Sequence, residues 1–266
     1  MLARCLMLAV TLNCCLTLLV DVEQAGDAAS GQYLDCSWSA SERRKYVATH
    51  SLSEWPCTAR PDFRKRNGKK TIVCIGDSIT HGSHVLSNET YPAKLHSLFH
   101  EEFNVLNLGI SGSTAQRARE SSYWSFPQWR VAQEIGFDLA IVQLGTNDAK
   151  TLNWDPSTYT ADLHRMLKQL AAGHPQARLL VSVPPRVVSN NFTIQADVVA
   201  EHLPDAIRAL PRGPGLGLDF VDMQAAFASA RRPFQDLLLP DGVHPNAGGY
   251  QLMAEAAAAA VRRALG

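Results

Sequence analysis

Four short polar clusters in this 266-residue chain hold side chains that could carry out acyl transfer. The first, Gly76-Asp77-Ser78, breaks the apolar run "TIVCIG". The second is "NLGISGST", with Gly109 and Gly112, and the third is "GTND", Gly145 to Asp148. The fourth is "DGVHPNAGG", with Asp241 and His244. A serine hydroxyl is a weak nucleophile at neutral pH and needs a base within hydrogen-bond reach. Histidine is such a base when an acidic partner fixes its tautomer and steadies the imidazolium. Asp241 and His244 stand three apart between Pro240 and Pro245, so one tight turn can hold them together. Acyl transfer also needs donors aimed at the developing oxyanion. A glycine at Gly112 lets backbone approach closely, and Asn147 offers a side-chain amide.

Each cluster alone has a plainer reading. Gly-Asp-Ser is a good turn tripeptide, "GISGS" a loop, "GTND" a helix cap, and "DGVHP" a helix start with an incidental histidine. Their joint order, each at the end of an apolar run or before a helix, is far more specific. A metal-dependent phosphoesterase is the rival chemistry, since Asp77, Asn147, Asp241 and His244 are all capable ligands. Such sites usually present Asp-x-His and a Gly-Asp-x-x-Asp run to hold two metals. Thr80 stands where the second aspartate would fall, and Asp-x-His occurs only as Asp162-Leu163-His164, inside a helical pattern rather than at a strand end. A non-catalytic carbohydrate-binding module is a third class, and it would not need the Ser, His and Asp set.

The elements that must position these clusters alternate between strand and helix. "TIVCIG", "FNVLNLG", "DLAIVQLG", "RLLVSVPP" and "LDFVDM" are short, β-rich and bounded by Gly, Pro or Asp, as strands buried on both faces should be. In "TYPAKLHSLFHEEF", Tyr91, Leu95, Leu98 and Phe99 share a helical face and Thr90 is placed to cap it. "STYTADLHRMLKQLAAG" repeats the pattern with Leu163, Met166, Leu167 and Leu170, and the alanine run of "AGGYQLMAEAAAAAVRRAL" suits close packing on a sheet. Five such strands with intervening helices imply an α/β fold with a mainly parallel sheet covered on both sides. Ligands in such sheets bind beyond the carboxyl ends of the strands, which is where the polar clusters fall.

On these residues the chain resembles members of the SGNH (GDSL-type) hydrolase family. The four blocks correspond to Ser78 in "GDSIT", Gly112 in "NLGISGST", Asn147 in "LGTND", and Asp241 with His244 in "DGVHP", and the likeness runs over about residues 71 to 266. It implies a three-layer, flavodoxin-like α/β/α sandwich. It further implies Ser78 as nucleophile, His244 as base and Asp241 as its orienting partner, with Ser78, Gly112 and Asn147 forming an oxyanion hole. No cofactor or metal is implied. A finer resemblance, in the Tyr-Trp stretch and "LGTNDAKTLNW", is to SGNH proteins that are carbohydrate or sialate O-acetylesterases. It implies a serine esterase acting on short O-acyl, chiefly O-acetyl, esters of carbohydrate. The alternative within the family is a lipid acyl-ester hydrolase, lysophospholipase or thioesterase. Tyr123, Trp124, Trp129 and Trp154 could stack on sugar faces or serve as packing. His81 and His84, which follow the nucleophile, are read as surface residues, and Lys150 as reaching either the cleft or solvent.

Composition bounds the rest. Lys+Arg and Asp+Glu are both 25, so the chain has no basic field for nucleic acid and no acidic tail. Arg4 followed by an apolar run from Cys5 to Val20 reads as a signal peptide over residues 1–28, and hence as secretion or a lumenal location. An uncleaved signal anchor is the alternative, although the run is short against the roughly 20 residues a span needs. Once cleaved, the chain needs no stable membrane insertion, and its partner is a small-molecule or glycan ester substrate. Residues 29–68 form a polar leader before a hydrolase domain over 69–266. In an oxidising compartment Cys36 and Cys57 are the expected pair, and Cys74, inside an apolar strand, the buried thiol. Asn88 ("NET") and Asn191 ("NFT") are glycosylation sequons.

Overall fold

A computed structural model describes Leu34–Asp35 and residues 68–119, 121–212 and 216–265. The expected signal segment and the Cys36–Cys57 pair lie outside the described residues. The sheet comprises β1 (Leu34–Asp35), β2 (Lys70–Gly76), β3 (Phe103–Gly109), β4 (Leu139–Gln143), β5 (Arg178–Val183) and β6 (Leu218–Asp222), in the order β1-β3-β2-β4-β5-β6. Every pairing is parallel. The five apolar runs are the five long strands. The edge strand β1, which pairs Leu34 with Leu106 and Asp35 with Asn107, comes from the segment read as a leader. Two residues are too few to show a strand period.

Burial explains why these runs lack polar alternation. All residues of β3 and β4, and all of β2 after Lys70, are buried. Alternate side chains feed two separate cores. Val73, Ile75, Ala140 and Val142 pack with helices α3 (Pro127–Glu134), α4 (Pro156–Gly173) and α5 (Leu203–Arg208). Ile72, Cys74, Leu139 and Ile141 pack with α2 (Tyr91–Phe99), α6 (Met223–Ala228) and α7 (Ala247–Leu265). The result is the three-layer α/β/α sandwich, with a short helical turn, α1 (Ser78–His81), directly after β2.

The helices start where the residues dictate. Thr90 Oγ1 accepts from Ala93 N at 3.3 Å to open α2, and Asp155 Oδ1 accepts from Thr158 N at 2.7 Å to open α4. In α4, Leu163, Met166, Leu167 and Leu170 are fully buried, and truncating any one to Ala should cost about 2–5 kcal/mol. Along α7, Ala254, Ala257, Ala258 and Ala260 bring the helix close to the sheet. Leu98 departs from expectation and is 43% exposed. Burial of Ala93 and His96 turns the centre of the packed face of α2 away from it.

The strand order positions the site. The chain steps from β2 to β3 on one side, then returns past β2 to β4. At such a reversal the loops beyond the strand ends part into a crevice. The loops after β2, β3 and β4 carry the first three polar clusters.

Candidate active site

Ser78 opens α1 immediately beyond β2. Asp77, the preceding cap, is fully buried and its Oδ1 accepts from Ile79 N at 2.9 Å, fixing the turn that leaves Ser78 half-buried at its outer face. Gly76 is demanded by crowding: a Cβ there would lie 2.0 Å from Thr80 Oγ1 and 2.7 Å from the Gln143 carbonyl oxygen. The serine is thus aimed by a close approach that no other residue type permits.

His244 and Asp241 reach it from the turn before α7. His244 Nε2 lies 2.9 Å from Ser78 Oγ, and His244 Nδ1 lies 2.6 Å from Asp241 Oδ2. The other carboxylate oxygen, Oδ1, accepts from Val243 N at 2.9 Å and His244 N at 3.0 Å. Burial alone would raise the Asp241 carboxyl. The amides of His244 and Val243 and the imidazole outweigh it and hold the group below the usual carboxylate range. The turn is closed by Leu239 N donating to the His244 carbonyl at 2.7 Å. This geometry can pass a proton from the hydroxyl to the imidazole while the carboxylate keeps the ring oriented.

The loops after β3 and β4 are stitched to the same strand end. Ile110 N and Ser113 Oγ both donate to the Gly76 carbonyl, at 2.9 and 3.3 Å. Gly112 lies between them at φ +82, a left-handed conformation that glycine takes without steric cost. Asn147 is buried, and its Nδ2 donates to the Ser113 carbonyl at 3.2 Å. The structure therefore brings Ser78, Gly112 and Asn147 to adjoining loops. Next to Asn147, the buried Asp148 carboxylate accepts from Ala115 N and Gln116 N, both at 3.0 Å. Burial pushes Asp148 up to about 6 and Asp77 up to about 7, each charge being taken out of water behind the site. Lys150 partly offsets the shift at Asp77.

Some candidates fall elsewhere. Tyr123 and Trp129 are buried in the core, Tyr123 donating to the Leu108 carbonyl at 2.6 Å. Trp124 packs on Trp129 and Trp154 on Tyr159. Cys74 is a free, fully buried thiol that burial pushes up to about 12, which leaves it inert. Asn88 is exposed, whereas the Asn191 amide donates to the Asp241 carbonyl at 2.7 Å. His84, read as a surface residue, sets its exposed ring edge-on to His244 with centroids 5.2 Å apart. Phe192 was not singled out by residue pattern, yet its ring lies 6.1 Å from that of His244. His84, Asp241 and His244 offer possible metal-ligand atoms within 4.8 Å of one another. A groove of about 830 Å³ lined by Trp154, His164, His202 and Ala206 contains none of Ser78, Asp241 and His244, so it is not the cavity served by this chemistry.

Comparison with known proteins agrees with the residue pattern. A sequence profile of the GDSL-like Lipase/Acylhydrolase family matches residues 74–252. An acetylxylan esterase of Xylanibacter ruminicola is 28% identical over 211 residues, which are 72% of this chain and 43% of that protein. This chain thus spans less than half the length of that relative. A carbohydrate acetylesterase family member from Sinorhizobium meliloti superposes with a TM-score of 0.57 at 20% identity, over 74% of this chain and 99% of the other. The native aryl esterase of M. smegmatis does so with a TM-score of 0.60 at 19% identity, over 74% and 100%. At these identities the two structural likenesses establish the fold.

Proposed function

This chain belongs to the GDSL-like lipase/acylhydrolase family, a class of carboxylic-ester hydrolases, and from that premise we propose that it is a secreted serine esterase that removes short O-acyl groups, chiefly acetyl, from carbohydrate. The observation that carries the reading is the hydrogen-bonded line from Ser78 through His244 to Asp241, at 2.9 and 2.6 Å. Ser78 Oγ attacks the ester carbonyl as His244 Nε2 takes its proton, and the carbonyl π pair moves onto oxygen. Donors from Ser78 N–H, Gly112 N–H and the Asn147 amide hold that oxyanion. Collapse breaks the bond to the alcohol, which leaves with the proton from His244. Water then repeats the sequence on the acyl-serine and releases the acid.

Carbohydrate as the alcohol is supported by the acetylxylan esterase relative and by "LGTNDAKTLNW". Export is supported by the apolar run Cys5 to Val20, and with it a Cys36–Cys57 bridge and a glycan on the exposed Asn88. A fluorophosphonate probe should label Ser78, and acetylated sugars should be cleaved while phosphate esters are not. An unlabelled Ser78 in folded protein that still turns over esters would refute the serine chemistry.

A further inference from the structure

Two loops whose rings lie beside His244 share an unusual backbone. Among the described residues, the non-glycine residues with positive φ are His84 at +71, Phe192 at +57 and Thr193 at +61. All belong to the two segments whose rings flank the catalytic imidazole. Side-chain-bearing residues avoid this conformation, and where it persists the surroundings impose it, commonly at functional sites. Here the imposing contacts are explicit. Asn191 Nδ2 and Ser189 Oγ both donate to the Asp241 carbonyl, at 2.7 and 2.9 Å. On the other flank, Thr151 N donates to the Thr193 carbonyl at 3.0 Å. The segment is clamped between the turn of Asp241 and the loop after β4.

What this clamp presents is Phe192, the single exposed Phe, Tyr or Trp side chain among the described residues, at 55%. An aromatic ring left in solvent and held by strained backbone is poorly explained by packing. Its location assigns its partner. The proton that His244 takes from Ser78 is returned to the leaving oxygen, so the departing alcohol lies against the His244 Nε2 edge. Phe192, its ring 6.1 Å from the imidazole at 70°, stands beside the group that protonates the leaving oxygen and within reach of an alcohol moiety there. His84, 5.2 Å from the same imidazole at 72°, borders it from another loop and adds ring nitrogens able to bond hydroxyls.

We propose that Phe192 and His84 form a subsite for the leaving alcohol, and that it takes a pyranose ring, whose C–H face stacks on Phe192 while its hydroxyls meet His84. The proposal rests on the serine-esterase reading above. It makes both residues determinants of alcohol specificity and gives neither a part in bond making.

The test compares kcat/KM for an O-acetyl pyranoside and for ethyl acetate, which share the acetyl-enzyme and differ only in the alcohol. Phe192→Asn removes the ring with a residue that tolerates left-handed backbone, and Phe192→Tyr retains the ring. The pyranoside-to-ethyl ratio should fall about three- to tenfold in Phe192→Asn, the scale of a lost stacking contact, and stay near the native value in Phe192→Tyr. His84→Asn should lower the same ratio from the other flank. An unchanged ratio in both Asn variants, or an equal fall in Phe192→Tyr, would overturn the subsite. Loss of Ser78 labelling and of all ester turnover in the native enzyme would instead overturn the underlying esterase reading.

Discussion

The Asn147 side-chain amide donates to the Ser113 carbonyl at 3.2 Å, across 34 residues of sequence. One of its two hydrogens is thereby committed to structure, and the amide is aimed before substrate arrives. The second hydrogen is the one the proposed mechanism gives to the oxyanion. Replacing Asn147 by Ala should lower kcat by roughly 100- to 1000-fold with little change in KM, as expected for a donor used in the transition state. Steady-state kinetics decide this. An effect confined to KM would make Asn147 a ground-state contact.

Ser78→Ala should fold, since the hydroxyl is half-buried and bonds only to His244 among the hydrogen bonds found at its side chain. Turnover should drop by roughly 10,000-fold or more, leaving what the oxyanion donors and binding supply. A native-like melting curve together with near-native activity would remove Ser78 from the mechanism.

The buried carboxyls set a pH dependence of stability. An unfolded aspartate titrates near 3.9, whereas Asp77 titrates near 7 in the folded chain because burial penalises its charge. Between those values the native state retains a proton that the unfolded chain has released. The contribution of Asp77 to stability should therefore fall as pH rises from about 4 to about 7 and level off above, by at most about 1.4 kcal/mol per pH unit for each such group. Asp148, raised to about 6, contributes with the same sign over a narrower window. Asp77→Asn keeps an oxygen to accept from Ile79 N and removes the charge. Urea unfolding across this range should show a shallower decline in the variant. An unaltered slope would mean that Asp77 is ionised throughout.

Much of this was legible in the residues. A strand buried on both faces has to be apolar without interruption, so "TIVCIG" and "DLAIVQLG" announce themselves, and Ser78 and Asn147 stand out because polarity resumes where each strand ends. Phe192 carried no such mark. A left-handed turn is recognisable when glycine occupies it, but at Phe192 contacts from Asp241 and Thr151, remote in sequence, impose it. For Trp129 and Tyr123 the sequence leaves packing and sugar stacking both open, since an aromatic in a loop reads alike whether it faces core or ligand, and burial decides for packing. Leu98 shows a third limit: helical spacing defines a stripe, while the neighbouring layer decides where that stripe is centred.

Chelation separates serine chemistry from metal chemistry. His84, Asp241 and His244 could share an ion, but Asp241 and His244 already bond to each other, and His244 also bonds to Ser78. An ion held there would compete with those bonds. Activity should therefore survive EDTA, and added Zn²⁺ should inhibit, less so in His84→Asn. Activity lost to EDTA and regained with Zn²⁺ would instead favour a metal-activated water.

Acyl chain length gives the sharpest test of substrate class. The large exposed apolar side chains among the described residues are Leu86, Leu98, Leu152, Val188 and Phe192; only Val188 and Phe192 share a segment, and the five form no continuous apolar run in sequence. Phe192 is assigned to the proposed alcohol subsite beside His244. A site that buried a long acyl chain would gain about 0.8 kcal/mol, or roughly fourfold, for each methylene taken from water. Over a C2 to C8 series that gain would exceed about three orders of magnitude in kcat/KM. Without a continuous apolar cover, the added carbons stay largely hydrated and add bulk near the serine. Acetyl esters should therefore be cleaved best, with kcat/KM declining from about C4 onward on a common alcohol. Measuring C2 to C12 esters settles the point: a maximum at C8 or beyond would displace the carbohydrate acetylesterase reading in favour of a lipid acyl hydrolase or thioesterase.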